Sequence, residues 1–315
     1  MGARPKTLLF LLKLAFSLAV LGYLLYHYRS ELADVGPSLR SASGFWLFLA
    51  FSLHALGLLF SAYRWRILAR AQGDSIPLPF LVRSYLVGTF FNMFLPTRFG
   101  GDFVRIWDGS KHSDSLTKSA AIVVVERLTG IMVLFLFALG ASLARLNMAG
   151  EVPVIWAALL FGALGLAAVG LFFLPAAGRL LGRGPGQGFI RKTLDKLQVF
   201  RSTIIRYREH PRAFFQASCW AVLLQLNVVV YYIFIGRALH LEIPVHDYFI
   251  FIPLVLLVQI IPVSINGLGI RETAYVRIFA YYGLSAGTAF SFDLIEVAFG
   301  LIVGLVGAAV YVARK

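Results

Sequence analysis

The chain has 315 residues, of which 59% are hydrophobic and only 14% charged. A soluble domain carries roughly a quarter charged residues, so this composition excludes an ordinary soluble enzyme and indicates a chain built for the bilayer. The 29 Lys and Arg outnumber the 15 Asp and Glu, but they lie in short loops between apolar runs, which suits anionic headgroups and topology rather than nucleic acid.

Arg4 and Lys6 precede an apolar run to Tyr28. The run is too long for a signal h-region and lacks a small-residue cleavage site, so it is expected to remain as a first span, 7–28, with its N-terminus in the cytoplasm. Arg29 and Arg40 are balanced by Glu31 and Asp34, which suits an external loop. A second span, 45–63, returns the chain to the cytoplasmic Arg64, Arg66 and Arg70.

The next apolar stretch ends in Pro96, Gly100 and Gly101, and the basic segment after it also reads as cytoplasmic. Residues 78–105 therefore enter and leave on one side, as a re-entrant hairpin. A third span, 120–146, carries Glu126 and Arg127 about 12 Å along the helix from Lys118. Charges there are costly unless other segments supply partners. Asp102 or Glu272 suits Arg127, and Arg105 or Arg271 suits Glu126.

The order then repeats. A span at 152–174 leads into 176–212, where nine Lys and Arg face two acids, placing that segment in the cytoplasm. Its stretch 189–210, with Ile190, Leu194, Leu197 and Ile204 on one face, reads as an interfacial helix, with a solvated basic loop as the alternative. A span at 213–236 is followed by a second broken segment, 248–288, with Pro262, Gly267 and Gly269, this time bounded by external loops. The last span, 289–313, ends at the cytoplasmic Arg314 and Lys315.

The fold class expected is thus an all-α polytopic membrane protein of about six spanning helices plus two re-entrant Pro/Gly-broken hairpins. Its halves, 1–150 and 151–315, form an inverted repeat with the breaks in corresponding places. Irregular backbone at depth needs protein around it or a wet cavity. Arg98, Asp102, Arg105, Glu126, Arg127, Asn266, Arg271 and Glu272 are the candidate substrate-binding residues. Guanidinium groups stay charged and grip phosphate oxygens bidentately, and half-helix N-termini add N–H donors. Two plainer readings stand beside this one, surface loops at the breaks and a purely structural ion-pair network.

On the last span, Asp293 and Glu296 lie three apart on one face. They form either a proton-coupling site or, more plainly, a residue at the external mouth and an Arg partner. Gly300, Gly304 and Gly307 mark a helix-packing face, whose partner is another helix of this chain or a second copy in a homodimer. Trp46, Trp65, Trp107, Trp156 and Tyr248 fall near span ends and read as an interfacial belt. Cys219 is the single cysteine, and the six histidines show no metal-ligand spacing on one helix face. No metal and no cofactor is expected.

Arg64-Trp65, Pro96 with Gly100-Gly101-Asp102 and Arg105, Glu126-Arg127, and Pro262, Gly267, Gly269 with Arg271-Glu272 together resemble the flippase-like transmembrane family named for the membrane domain of lysylphosphatidylglycerol synthase. Asn266 departs from the resemblance, since members often carry Gly there. The resemblance implies a lipid-handling protein of a bacterial-type inner membrane. In the bifunctional synthases this domain moves the aminoacylated phospholipid to the outer leaflet, and other members are linked to polyprenyl-phosphate glycolipids or hopanoids. The synthases add a soluble aminoacyl-transferase domain. This sequence stops at Lys315 without one, so it is not expected to make the lipid itself.

The leading expectation is a non-enzymatic flippase or lipid transporter for an anionic lipid. No nucleotide-binding Gly-x4-Gly-Lys-Ser/Thr loop occurs, so gradients or lipid mass action would drive it. The alternatives are a membrane-embedded transferase using Asp102, Glu126 or Glu272 as general base, and a scaffold for a lipid-synthesis enzyme.

Overall fold

The computed structural model describes residues 15, 18–94, 100–113, 115–143, 156, 159–160, 162–165, 167, 205, 207–259 and 267–314. Among them no strand occurs. A short helix α1 (Leu18–His27) leads through a 3-10 turn (Glu31–Asp34) into α2 (Val35–Arg40). Then come α3 (Gly44–Ala71), α4 (Leu78–Phe94), α5 (Gly100–Ser113) and α6 (Leu116–Leu143). After a second 3-10 turn (Tyr207–Glu209) follow α7 (Pro211–Ala238), α8 (Val245–Val258), α9 (Ile270–Tyr281) and α10 (Ala286–Ala313).

Helices α3, α6, α7 and α10 have 28 residues each. That is about 42 Å of helix, against a hydrocarbon core of about 30 Å. All four are apolar enough to cross a membrane, and they overlap the expected spans 45–63, 120–146, 213–236 and 289–313. The expected spans 7–28 and 152–174, the interfacial segment 189–210, and the breaks at Pro96 and Pro262 fall largely or wholly outside the described residues.

One boundary is corrected. The sequence reads Arg64 as the loop residue that ends a span, yet α3 continues to Ala71. Arg64 is buried, and its Nη2 donates to the Glu126 carbonyl at 2.7 Å and to Thr129 Oγ1 at 2.8 Å. A satisfied guanidinium does not need to leave the bundle.

Hydrogen bonds and ion pairs at the two ends fix the helix directions. At one end, Ser43 N–H donates to the Ala238 carbonyl at 2.9 Å, so α3 starts where α7 stops. The start of α10 joins them, with Ala286 N–H donating to Glu31 Oε2 at 2.5 Å. At the other end, Lys118 at the start of α6 meets Asp74 beyond α3 at 2.5 Å. There too Arg314, after α10, meets Asp108 of α5 at 2.6 Å. The short pair α4–α5 therefore begins and ends at the Asp74 end, and α8–α9 begins and ends at the opposite one.

The packing repeats as well. α3 lies along α7, α4 against α10, and α6 against α8. If α3–α6 is matched in order to α7–α10, the last two contacts are one contact seen twice. The α4–α10 contact is where the glycine face goes, since Gly300, Gly304 and Gly307 receive Met93, Phe90 and Leu86 of α4. That face is filled from within the chain.

The interfacial belt is corrected in part. Trp107 and Trp156 are exposed, but Trp65 and Tyr248 are buried. Trp65 packs with Leu68, Leu81, Ile122 and Val125, while Tyr248 lies in an aromatic core with Phe251, Tyr275, Phe279 and Phe292.

Candidate functional site: two buried charge networks

Helix α5 begins at Gly100, where its first N–H groups have no helical partner. Gly101 N–H donates to Asn92 Oδ1 at 2.6 Å. A Cβ on Gly101 would run into the Gly88 carbonyl of α4 and come within 2.8 Å of Asn92 Nδ2. The Gly-Gly break therefore lets α5 fold back tightly on α4, besides ending regular helix. Asp102 sits in the first turn of α5, where the helix dipole favours a carboxylate.

One turn on, Arg105 is the hub of the first network. It pairs with Glu126 Oε2 and lies 3.5 Å from Asp102 Oδ1. Its guanidinium carbon stands 3.9 Å from the Tyr85 ring centroid and 4.7 Å from that of Trp65, two cation–π contacts to rings that meet edge to face. Tyr85 donates its hydroxyl to the other Glu126 oxygen. Arg127 pairs through Nε with Asp102 Oδ2. Adjacent helix positions point about 100° apart, so Glu126 and Arg127 take separate partners on α5. With Arg64 on the Glu126 backbone carbonyl, three guanidinium groups stand by two carboxylates among the described residues. Arg64, Asp102, Arg105 and Glu126 are buried, whereas the Arg127 side chain is 38% exposed.

The second network is built at the start of α9. Gly267 and Gly269 hold φ of 80° and 83°, the left-handed region that glycine enters without strain. This turn aims Gly269 N–H at Glu272 Oε2, 2.6 Å away, so the carboxylate caps its own helix. Arg271 reaches across to α10, pairing with Asp293 through Nε and through Nη2 at 2.9 Å. Its Nη1 lies 3.6 Å from Glu296 Oε1, and its Nη2 lies 3.4 Å from Glu272 Oε1. Tyr275 approaches the other Glu296 oxygen at 3.4 Å. Here, among the described residues, one guanidinium faces three carboxylates.

The two networks occupy matching places. Asp102 and Glu272 are each third in their half-helix, and Glu126 and Glu296 are each eleventh in their long helix. Of the expected site residues, Asp102, Arg105, Glu126 and Arg127 come together in the first network. Arg271 and Glu272 meet Asp293 and Glu296 in the second. No ion pair between described residues joins the two. Arg98 and Asn266 lie outside the described residues. Sequence reasoning missed Tyr85, gave Asn92 no role beyond opening the block 92–105 of the family resemblance, and read Trp65 as interfacial. The only signal for Tyr85 and Asn92 as site residues was position, one face of the helix before the Gly-Gly break. Among the described residues no cluster of His, Cys, Asp and Glu is arranged to hold a metal.

Residues 10–307 match the family described as the lysylphosphatidylglycerol synthase TM region. The chain belongs to this family. It is thus a multi-pass membrane protein of the lysylphosphatidylglycerol synthase TM family, a lipid-handling group. Among curated proteins no relative matches it.

Proposed function

We propose that this chain is a lipid transporter of the flippase kind, which binds an anionic headgroup at the first network and carries it across the inner membrane. The observation that carries this reading is the uneven exposure of that network. Its hub is sealed and, among the described residues, it holds one guanidinium more than carboxylates, while Arg127 stands half-exposed at its edge. A phosphate docking on Arg127 would take up the surplus positive charge without unfolding the buried pairs. The start of α5 lies next to it, with N–H groups and the positive end of a helix dipole.

In a bilayer, α4–α5 and α8–α9 become two re-entrant hairpins of opposite entry, and the halves become an inverted repeat. This is supported by the return of each short pair to its own end of the bundle. Repeat-built transporters alternate access by rocking one half against the other. The lipid tails stay in the bilayer throughout, and the protein performs no covalent chemistry.

Reconstitution in liposomes with a fluorescent anionic phospholipid tests the reading, through access of a membrane-impermeant quencher to each leaflet. Wild type is expected to exchange the lipid between leaflets. Arg127→Ala should abolish exchange while the protein still folds, since Arg105 remains beside Asp102. Covalent conversion of the lipid, or exchange indifferent to Arg127, would sink the proposal.

A further inference from the structure

The second network has a charge imbalance that its own geometry does not relieve. Two nitrogens of Arg271 are engaged by Asp293, and the third is 3.6 Å from Glu296, too long for a hydrogen bond. Glu272 is turned toward Gly269 N–H. Asp293 and Glu296 lie about 10 to 15 Å along α10, with Phe292 and Phe299 in the apolar core beside them. Buried negative charge in such surroundings is relieved by taking up a cation.

A second observation points the same way. Tyr231 of α7 is only 4% exposed, and its hydroxyl has no hydrogen-bond partner among the described residues. The Tyr231 ring packs 6.2 Å from that of Phe299, one turn past Glu296 on α10, so an unused donor and acceptor stands beside the acidic cluster, within reach of the charges of Glu296, Arg271 and Asp293. Tyr232 of α7 and Tyr275 of α9 also face Glu296. His54 of α3 stacks 5.4 Å from Tyr231 and feels Glu296 as well. Helix α4 offers α10 the apolar Leu86, Phe90 and Met93. Glu31 is engaged at the start of α10, by Ala286 N–H.

We infer that Asp293 and Glu296 together hold one exchangeable proton, within a pocket completed by Arg271, Tyr231, Tyr275 and His54. The proton comes from water and returns to it, and only an O–H bond forms or breaks. A proton suits the site because one O–H can be donated to a neighbouring carboxylate or to the Tyr231 hydroxyl within the existing packing. Bound here and released as the halves rearrange, it would supply a gradient-driven step to the proposed transporter.

Infrared difference spectroscopy of the full chain in lipid nanodiscs, titrated from about pH 5 to about pH 8, reads the site directly. The protonated-carboxyl band is expected to fade as pH rises. It should be lost in Glu296→Gln and in Asp293→Asn, and kept in Asp108→Asn. Histidine also titrates in this window, but an imidazole has no carboxyl stretch, so the band reports carboxylic acids alone. If the charge-removing variants fail to fold, Tyr231→Phe should fold and shift the titration midpoint. Absence of a titrating band in wild type, its survival in both Glu296→Gln and Asp293→Asn, or an unmoved midpoint in Tyr231→Phe would overturn the inference. The readout contains no lipid movement, so a failed leaflet-exchange assay would leave it standing.

Discussion

The two networks share a plan and differ in sign. Each starts at the N-terminus of a half-helix after a glycine break, each ties that half-helix to a long helix, and each centres on one arginine. Yet, among the described residues, the first sets three guanidinium groups against two carboxylates, and the second sets one against three. A pure ion-pair staple would have no reason to differ so, since a balanced pair leaves the least buried charge uncompensated. The difference teaches that a repeated scaffold can carry two electrostatic characters, a cation-rich one that suits the proposed anion and an acid-rich one that suits the proposed proton.

The strongest way to break this contrast is to remove each hub. Arg271→Ala leaves Glu272, Asp293 and Glu296 without a cation, and losing one partner of a buried pair costs about 3 to 5 kcal/mol. Thermal unfolding in detergent should show that loss at neutral pH and a partial recovery in acid. The sign follows from charge, because protons taken up by the folded cluster replace the missing guanidinium, and that gain fades as pH rises. Recovery at alkaline instead of acid pH would refute the acidic character of the cluster.

Arg105→Ala should cost about 3 kcal/mol, the bottom of the same range. Arg127 would still hold Asp102, and Tyr85 and Arg64 would still attend Glu126. Two guanidinium groups would then face two carboxylates, so acid should give no recovery. Equal acid responses in the two variants would erase the comparison.

Much of this was legible beforehand because it rests on local sequence. Four of the expected spans coincide with long helices, and Glu126-Arg127 announced buried charge by interrupting an apolar run. The breaks at Gly100-Gly101 and at Gly267 and Gly269 located both half-helices. Partner choice was not legible. Arg127 could have taken Asp102 or Glu272, and only the packing of α5 on α6 decides it. Nor does sequence reveal that Arg64 stays buried, since an Arg at the end of an apolar run looks the same whether it meets water or a carbonyl of α6. Tyr85 and Tyr231 were hidden among thirteen tyrosines for the same reason.

Tyr85→Phe sharpens the first network by removing one hydroxyl. The ring keeps its place over Arg105, so the cation–π contact persists. Glu126 loses a donor, and a hydrogen bond to a charged group is worth about 2 kcal/mol. A melting shift smaller than that of Arg105→Ala but larger than that of any exposed pair is expected.

The smallest effect belongs at the end of the bundle. Lys118 and Asp74 are 2.5 Å apart, with the lysine side chain 29% exposed. This pair ties the end of α3 to the start of α6, but water competes for the ammonium, and such pairs contribute below about 1 kcal/mol. Lys118→Ala should therefore leave the melting temperature nearly unchanged in low salt and wholly unchanged in high salt. A loss as large as that of Tyr85→Phe would mean that the end of the bundle is sealed from water, and that the contrast between buried networks and their exposed surroundings has been drawn in the wrong place.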